Sequence, residues 1–174
     1  MELKIVKFFN SLNLGLINKF ADIVSRLRFL FIFWVVVALS SLLFDRVNGK
    51  NIAVGMLIVS GLHFLITEGL IKHLLTKIFW KRWRPYLKYP EIKPIGRKFS
   101  DSSFPSSHMA TTVAMLFFII SIYPALWPLA GFLILLMAYA RLYQGMHYPS
   151  DILAGIILGV IYGWVGILIV SKII

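Results

Sequence analysis

Long apolar stretches alternate with short polar segments along this chain, and their lengths predict helices that cross a membrane. A bilayer-spanning α-helix needs about 20 predominantly apolar residues. Stretches of that order predict five spans, at residues 29–44, 52–75, 107–123, 125–143 and 149–170. Gly155, Gly159 and Gly163 repeat at four-residue intervals in the last span, which favours close helix packing over a ligand site. We therefore predict an all-α integral membrane protein, a five-transmembrane-helix bundle.

The first 27 residues follow a different pattern. Apolar residues such as Ile5 and Phe9 recur at helical spacing, while lysines and asparagines occupy the other faces. A helix of this kind lies in the membrane interface. Polar residues at its centre would be costly in hydrocarbon, which disfavours a further span. We predict an amphipathic interfacial helix over 1–27 and a transmembrane core over 28–174, which together form a single membrane-embedded domain, 1–174.

The composition supports the membrane assignment and limits the kinds of site and ligand that the chain can have. Hydrophobic residues make up 59% of the chain and the mean hydropathy is +0.84, too apolar for a soluble domain. The absence of cysteine excludes disulfides, thiolate nucleophiles and cysteine-based zinc sites. The net charge of +11 indicates anionic lipids or phosphates as ligands, with nucleic acid as a weaker alternative.

Five spans would place most of the unusual polar residues on one face of the membrane. Spans two and four would end there, and spans three and five would begin there. The same face would receive the loop 76–106 and the turn 144–150. It would carry 15 of the 18 Lys and Arg residues, the exceptions being Arg46, Lys50 and Lys172. We call this the basic face and predict that it contains the functional site.

Three polar blocks on the basic face carry the residue types that phosphoryl transfer requires. The blocks are Lys77–Pro85, Phe104–His108 and Arg141–Asp151. A transferred phosphoryl group spreads negative charge over three oxygens, so its site needs fixed cations and amide donors. Lys77, Arg84 and Arg141 can supply the cations. Ser106 and Ser107 begin a predicted helix, where unpaired N–H groups bind anions.

Two histidines and one carboxylate complete the set of candidate site residues. One imidazole can attack phosphorus while the other protonates the departing oxygen. An attacking imidazole must be neutral, with its other N–H bonded to an acceptor. Asp151 follows His147 by four residues, near enough to be that acceptor, and it also suits the first turn of a helix. A metal on His108, His147 and Asp151 is a weaker alternative, because the nearby cations would repel it.

The three blocks resemble the signature of the type 2 phosphatidic acid phosphatase family, which shares its site with vanadium haloperoxidases. That signature reads Lys-x6-Arg-Pro, Pro-Ser-Gly-His and Ser-Arg-x5-His-x3-Asp. The matching positions are Lys77, Arg84, Pro85, Pro105, Ser106, His108, Arg141, His147 and Asp151. Ser107 stands where the family has glycine, and Ala140 stands where it has serine. The resemblance covers residues 77–151, less than half of the chain.

The resemblance implies a role for each matching residue. His147 would be the nucleophile that forms a phosphohistidine, Asp151 its orienting carboxylate and His108 the general acid. The phosphate-binding set would be Lys77, Arg84, Ser106, Ser107 and Arg141. No metal or other cofactor would be required. Ser107 would still offer its backbone N–H, whereas Ala140 lacks the hydroxyl that would supply one phosphate contact.

The implied function is metal-independent hydrolysis of a phosphate or pyrophosphate on a membrane lipid. Bacterial members of the family act on lipid A 1-phosphate, phosphatidylglycerol phosphate or undecaprenyl pyrophosphate. The short chain and the basic face favour lipid A 1-phosphate. A lipid phosphotransferase is an alternative that the sequence does not separate from a hydrolase. An anion transporter is a remote alternative, because the polar residues collect at one end of the spans.

The resemblance also implies a location. Bacterial relatives work at the outer face of the inner membrane, which implies a multi-pass inner-membrane protein with a periplasmic active site. The positive-inside rule would instead place the basic face in the cytoplasm. We follow the family, because binding of anionic lipids is a separate reason for this face to be basic. The expected partners are the lipid substrate and the bilayer, with no nucleic acid and no obligate protein partner.

Overall fold

The computed structural model describes residues 1–173, apart from the side chain of Lys77, and every regular element in this range is helical. The α-helices are α1 (Glu2–Ser11), α2 (Leu16–Val24), α3 (Leu27–Phe44), α4 (Gly49–Leu62), α5 (Thr76–Ile78), α6 (Pro85–Lys88), α7 (Ser107–Ile122), α8 (Trp127–Tyr143) and α9 (Pro149–Ile173). A π-helical segment (His63–Leu75) continues α4, and a 3₁₀ turn (Pro124–Leu126) leads into α8. The all-α prediction is confirmed for these residues.

Four helical stretches are long and apolar enough to cross a bilayer. They are Leu27–Phe44, Gly49–Leu75, Pro124–Tyr143 and Pro149–Ile173. The predicted third span corresponds to α7, which is apolar but has only 16 residues. At about 1.5 Å per residue it is shorter than a typical bilayer core, so the count of five spans stays a prediction. Large side chains of α3, such as Phe31 and Phe44, are exposed, as expected for contact with lipid.

The contact between α7 and α9 is at the centre of the bundle. It contains the glycine stripe that the sequence assigns to helix packing. A Cβ atom at Gly155 would lie 2.6 Å from the carbonyl oxygen of Ser106, and one at Gly159 would lie 2.6 Å from Val113 Cβ. Real atoms do not approach so closely, so only glycine lets these two helices touch along their backbones. This contact sets the first turn of α7 beside the first turn of α9.

The N-terminal segment forms two helices, whereas the sequence predicts one over 1–27. Between α1 and α2, Gly15 has a φ of 55°, a left-handed conformation that favours glycine. Tertiary contacts hold the first of these helices in place. Asn10 Nδ2 donates to the carbonyl oxygens of Tyr143 at 2.7 Å and Lys93 at 2.9 Å, which ties α1 to the bundle. The helical pattern of the sequence predicts only that Asn10 lies on the polar face of one continuous helix.

The predicted basic face is formed where α7 and α9 begin and α8 ends. The segment between α5 and α7 packs there against the turn between α8 and α9. Tyr86 N–H donates to the Gly145 carbonyl at 3.3 Å. Gly145 has a φ of 67°, and a Cβ there would lie 2.6 Å from the Ile92 side chain. The turn that leads into His147 therefore requires glycine.

Candidate active site

His147 lies in the turn between α8 and α9, with its Nε2 atom between two guanidinium groups. Arg84 Nη1 and Arg141 Nη2 each lie 3.3 Å from Nε2. All three side chains are buried. Arg84 comes from the segment just before α6 and Arg141 from the last turn of α8, so two of the predicted blocks meet at this atom. An anion bound to both guanidinium groups would lie against the imidazole nitrogen.

The partners of His147 select one tautomer of its ring. Nδ1 lies 2.8 Å from the carbonyl oxygen of Ser103, which can only accept a hydrogen bond. The guanidinium groups beside Nε2 can only donate. The proton therefore resides on Nδ1, and Nε2 carries the lone pair that a nucleophile needs. Burial lowers the pKa of His147 well below its usual value and the neighbouring cations, Arg141 foremost, lower it further, so the ring is neutral near pH 7.

Asp151 lies beside His147 but forms its hydrogen bonds elsewhere. Its Oδ2 atom is 3.7 Å from His147 Nδ1, and it accepts the Tyr148 N–H at 2.8 Å. A first-turn carboxylate that bonds back to the N–H before the helix is a capping arrangement. The hydrogen-bond acceptor for the imidazole is thus the Ser103 carbonyl rather than the predicted carboxylate. Asp151 places a carboxylate close to the same ring nitrogen.

His108, in the first turn of α7, lines the same cavity as His147. This cavity has a volume of about 450 Å³. Its polar lining includes Glu68, Lys72, Arg84, Asp101, Ser107, His108, Arg141 and His147. His108 Nε2 is buried and has no hydrogen-bond partner among the described residues, which leaves it available to a ligand. All three predicted blocks therefore contribute to one cavity.

The two serines of the second block have different surroundings. Ser107 lines the cavity, and its Oγ donates to Glu68 Oε1. Ser106 is fully buried, and its N–H donates to the Asp151 carbonyl at 3.1 Å. Its Oγ has no partner within the part of the chain that the structure describes. Ser107 thus lies at the cavity and Ser106 could offer only its hydroxyl, and the phosphate contacts of both serines stay predictions.

Lys77 belongs to α5, but its side chain lies outside the described residues, and its predicted phosphate contact stays a prediction. Another lysine, Lys72, lines the cavity. Lys72 Nζ lies 3.0 Å from Asp101 Oδ2 and 3.8 Å from Glu68 Oε1. The site therefore contains a cation that the family signature does not include.

Asp101 is a site carboxylate that the sequence analysis missed. Its Oδ1 accepts a hydrogen bond from Arg84 Nη2 at 2.6 Å. Burial opposes its ionisation, but the charges and hydrogen bonds of Lys72 and Arg84 outweigh that effect and hold the pKa of Asp101 below its usual value. Asp101 thus fixes one of the guanidinium groups beside the nucleophile. The sequence contains one signal for this residue: Asp101 is the only Asp or Glu between Glu91 and Asp151.

Arg82 also lies outside the predicted set. Its guanidinium bonds to Asp151 Oδ1 at 2.5 Å and to Glu2 Oε2 at 2.7 Å. In the sequence it is one of several basic residues around Arg84, and neither spacing nor composition distinguishes it from them.

A neutral, buried imidazole lies between two guanidinium groups at one end of a membrane-spanning helical bundle, an arrangement that suits a phosphate-like anion. Residues 51–174 match the family model of the PAP2 superfamily, which covers most of the chain. The protein belongs to the PAP2 superfamily, as its three blocks predict.

Three curated relatives match parts of the chain. The lipid A 4'-phosphatase of Bacteroides thetaiotaomicron is 38% identical over 80 residues, covering 44% of this chain and 35% of that protein. The undecaprenyl-diphosphatase BcrC of Bacillus subtilis is 33% identical over 98 residues, covering 54% and 48%. The bacitracin transport permease protein BcrC of Bacillus licheniformis is 32% identical over 110 residues, covering 61% and 51%. The chain thus spans about half or less of the length of these relatives.

Two solved structures share the fold. The PAP2-type phosphatidylglycerolphosphate phosphatase of Bacillus subtilis superposes with a TM-score of 0.71 and 22% identity, covering 99% of this chain and 86% of that one. Aquifex aeolicus LpxE superposes with a TM-score of 0.65 and 19% identity, covering 96% and 94%. Both similarities extend over nearly the whole chain, so the architecture is that of the PAP2 membrane phosphatases.

Proposed function

We propose that this protein is a lipid phosphatase that hydrolyses a phosphate or pyrophosphate ester of a membrane lipid through a phosphohistidine at His147, without a metal. One observation carries the proposal: His147 Nε2 lies 3.3 Å from both Arg84 and Arg141, with its lone pair directed at the anion site. Membership in the PAP2 superfamily and the phosphatase names of two relatives support the reaction type.

In the first step His147 Nε2 attacks phosphorus. An N–P bond forms as the P–O bond to the lipid breaks, and the charge on the three equatorial oxygens is neutralised by Arg84 and Arg141. His108 donates a proton to the departing oxygen, which leaves as the lipid alcohol or, from a pyrophosphate, as the lipid monophosphate. Asp151 stabilises the positive charge that develops on the imidazole.

In the second step water attacks the phosphohistidine. His108, now neutral, takes a proton from the water, the N–P bond breaks and inorganic phosphate leaves. His147 regains its lone pair, and the cycle closes. If a lipid hydroxyl replaced water, the same site would act as a phosphotransferase. The guanidinium groups supply the charge neutralisation that a metal ion supplies in other phosphatases.

The shape of the cavity supports a lipid substrate. Beyond the polar cluster, its lining continues along apolar side chains of α3 and α4, including Leu30, Trp34 and Met56. A headgroup phosphate at His147 would therefore have a hydrocarbon path for an acyl chain. Within this class we favour lipid A 1-phosphate. The name of the lipid A 4'-phosphatase relative supports lipid A as the substrate class, although it specifies the 4'-phosphate. Phosphatidylglycerol phosphate and undecaprenyl pyrophosphate are the alternatives.

Phosphate release from a panel of purified lipid phosphates tests this function. The protein in detergent micelles should release phosphate from lipid A 1-phosphate fastest, and excess EDTA should leave the rate unchanged. The deacylated headgroup phosphate serves as the control and should react much more slowly. Absence of release from every lipid would contradict the function, and loss of activity in EDTA, restored by zinc or magnesium, would contradict the metal-free mechanism. Faster release from undecaprenyl pyrophosphate would overturn only the preferred substrate.

We also propose the topology that the sequence predicts: five crossings of a bacterial inner membrane, α1 and α2 at its surface, and the basic face in the periplasm. The chain has no cysteine, so a single introduced cysteine reports on one position. Lys93 on the basic face and Arg46 in the turn between α3 and α4 are both exposed.

A membrane-impermeant thiol reagent, applied to cells with a permeabilised outer membrane, should label Lys93→Cys. Arg46→Cys is the matched control from the opposite face and should react only after lysis. The reverse pattern would place the active site in the cytoplasm. If both cysteines were labelled while the inner membrane is intact, the two positions would lie on the same side. The chain would then not cross the membrane an odd number of times between residues 46 and 93.

A further inference from the structure

We propose that Arg82 is a positioning residue for the nucleophile His147, and that it couples the active site to helix α1. Arg82 falls in the variable interval of the Lys-x6-Arg-Pro block, so the family signature gives it no role. The inference rests on the proposed function, because it assigns Arg82 a part in the reaction at His147.

The side chain of Arg82 joins α1 to the first turn of α9. Nη1 lies 2.5 Å from Asp151 Oδ1 and 2.7 Å from Ser150 Oγ. Nη2 lies 2.7 Å from Glu2 Oε2, and the other oxygen of Glu2 accepts the Ser150 N–H at 2.9 Å. The guanidinium also lies 4.3 Å from the ring of Tyr148. A planar guanidinium group can bridge two carboxylates in this way, whereas a lysine ammonium group cannot reproduce that geometry.

The charge of Arg82 matters because Asp151 is fully buried. A buried carboxylate requires a cation or hydrogen bonds to remain charged. Among the described residues Arg82 is the cation bonded to Asp151, whereas the imidazole of His147 lies 3.7 Å away and is neutral. Without Arg82 the carboxylate would keep the Tyr148 N–H as a donor but no bonded cation, which makes its charged form less favourable. The negative charge that stabilises the developing phosphoimidazolium would then be lost.

The main chain of Arg82 supports the other group that orients the ring. Its carbonyl oxygen accepts the Ser103 N–H at 2.9 Å, and its own N–H donates to Ser102 Oγ at 3.3 Å. The Ser103 carbonyl is the acceptor for His147 Nδ1 at 2.8 Å. Arg82 therefore acts on the imidazole along two routes, through its backbone to Ser103 and through its side chain to Asp151.

Steady-state kinetics of Arg82 variants test this role. Arg82→Ala should lower kcat by about 10- to 100-fold, by analogy with the loss of a group that orients a metal-binding side chain. KM should stay within about twofold, because the phosphate contacts of Arg84 and Arg141 remain. Arg82→Lys keeps the positive charge but cannot bond to two carboxylates in the same geometry, so it should recover part of the rate. A residue that only stabilised the fold would change the amount of active protein without slowing formation of the phosphohistidine in the folded fraction.

Glu2→Gln tests the link to α1. It should lower kcat about 2- to 5-fold alone and have no further effect in an Arg82→Ala background, because its influence passes through Arg82. Lys81→Ala is the matched control: Lys81 contacts the Trp83 ring at 4.5 Å, and its loss should change kcat less than about twofold.

The outcomes separate this inference from the proposed function. Full kcat in a folded Arg82→Ala protein, or a rise in KM as large as the fall in kcat, would overturn the positioning role. If Arg82→Ala does not fold, Arg82→Lys and Glu2→Gln must still show a loss confined to kcat, and unchanged kcat in both would overturn it. A wild-type protein that releases no phosphate from lipids would refute the proposed function instead.

Discussion

His147→Ala should abolish turnover of every substrate, whereas the loss caused by His108→Ala should depend on the leaving group. His147 supplies the lone pair that forms the N–P bond, and it is the one described side chain within hydrogen-bond distance of both guanidinium groups. His108 supplies only a proton to the departing oxygen. An aryl phosphate has a leaving group that needs little protonation, so it should recover a good part of the rate in His108→Ala and none in His147→Ala.

The measurement is the rate of each variant on an alkyl and an amphiphilic aryl phosphate of similar chain length. Asp151→Asn is an informative third variant. It keeps the shape of the side chain but removes the negative charge beside the imidazole, and it should fall between the two histidine variants on both substrates. Rescue of His147→Ala by the aryl substrate, with none for His108→Ala, would mean that the two roles are reversed.

Arg84→Ala and Arg141→Ala should each cost about 2–4 kcal/mol of transition-state stabilisation, by analogy with the loss of one preorganised donor to a developing oxyanion. Both guanidinium groups are buried beside Nε2, where a charge contact is worth more than at an exposed surface. Asp101 fixes the Arg84 group by a hydrogen bond at 2.6 Å, so less reorganisation is needed when phosphate binds. The measurement is kcat/KM on the preferred lipid phosphate.

Exposed lysines of the basic face provide the control for the arginine variants. Lys93→Ala and Lys98→Ala remove positive charges that lie outside the cavity, and at saturating substrate they should have much smaller effects. If Lys93→Ala were as damaging as Arg84→Ala, the distinction between the phosphate site and the surrounding basic surface would be wrong.

The sequence predicted those features that depend on residue type and spacing. Apolar length located the long helices, the four-residue glycine repeat indicated a closely packed helix face on α9, and three motif blocks indicated the site. These signals are local, because each depends on side chains within one element. Membership in the PAP2 superfamily confirmed what those blocks implied about the family.

Features that depend on tertiary contacts could not be predicted. The position of α1 against the bundle involves bonds from Asn10 to backbone carbonyls more than 80 residues away. The acceptor for the imidazole is the Ser103 carbonyl, a backbone atom that residue-type patterns do not register. Asp101 is a different case: its isolation among cations is a signal in the sequence, but its contact with Arg84 depends on the fold of the long loop before α7.

Trapping the covalent intermediate tests the central claim most directly. The protein is mixed with a lipid carrying radioactively labelled phosphate, quenched in alkaline denaturant within the first turnover, and digested for peptide mapping. We predict label on the peptide that contains His147, stable in base and lost in acid as a phosphohistidine is, and none in His147→Ala. Turnover without any protein-bound label during the first cycle, or label that persists in His147→Ala, would contradict the mechanism.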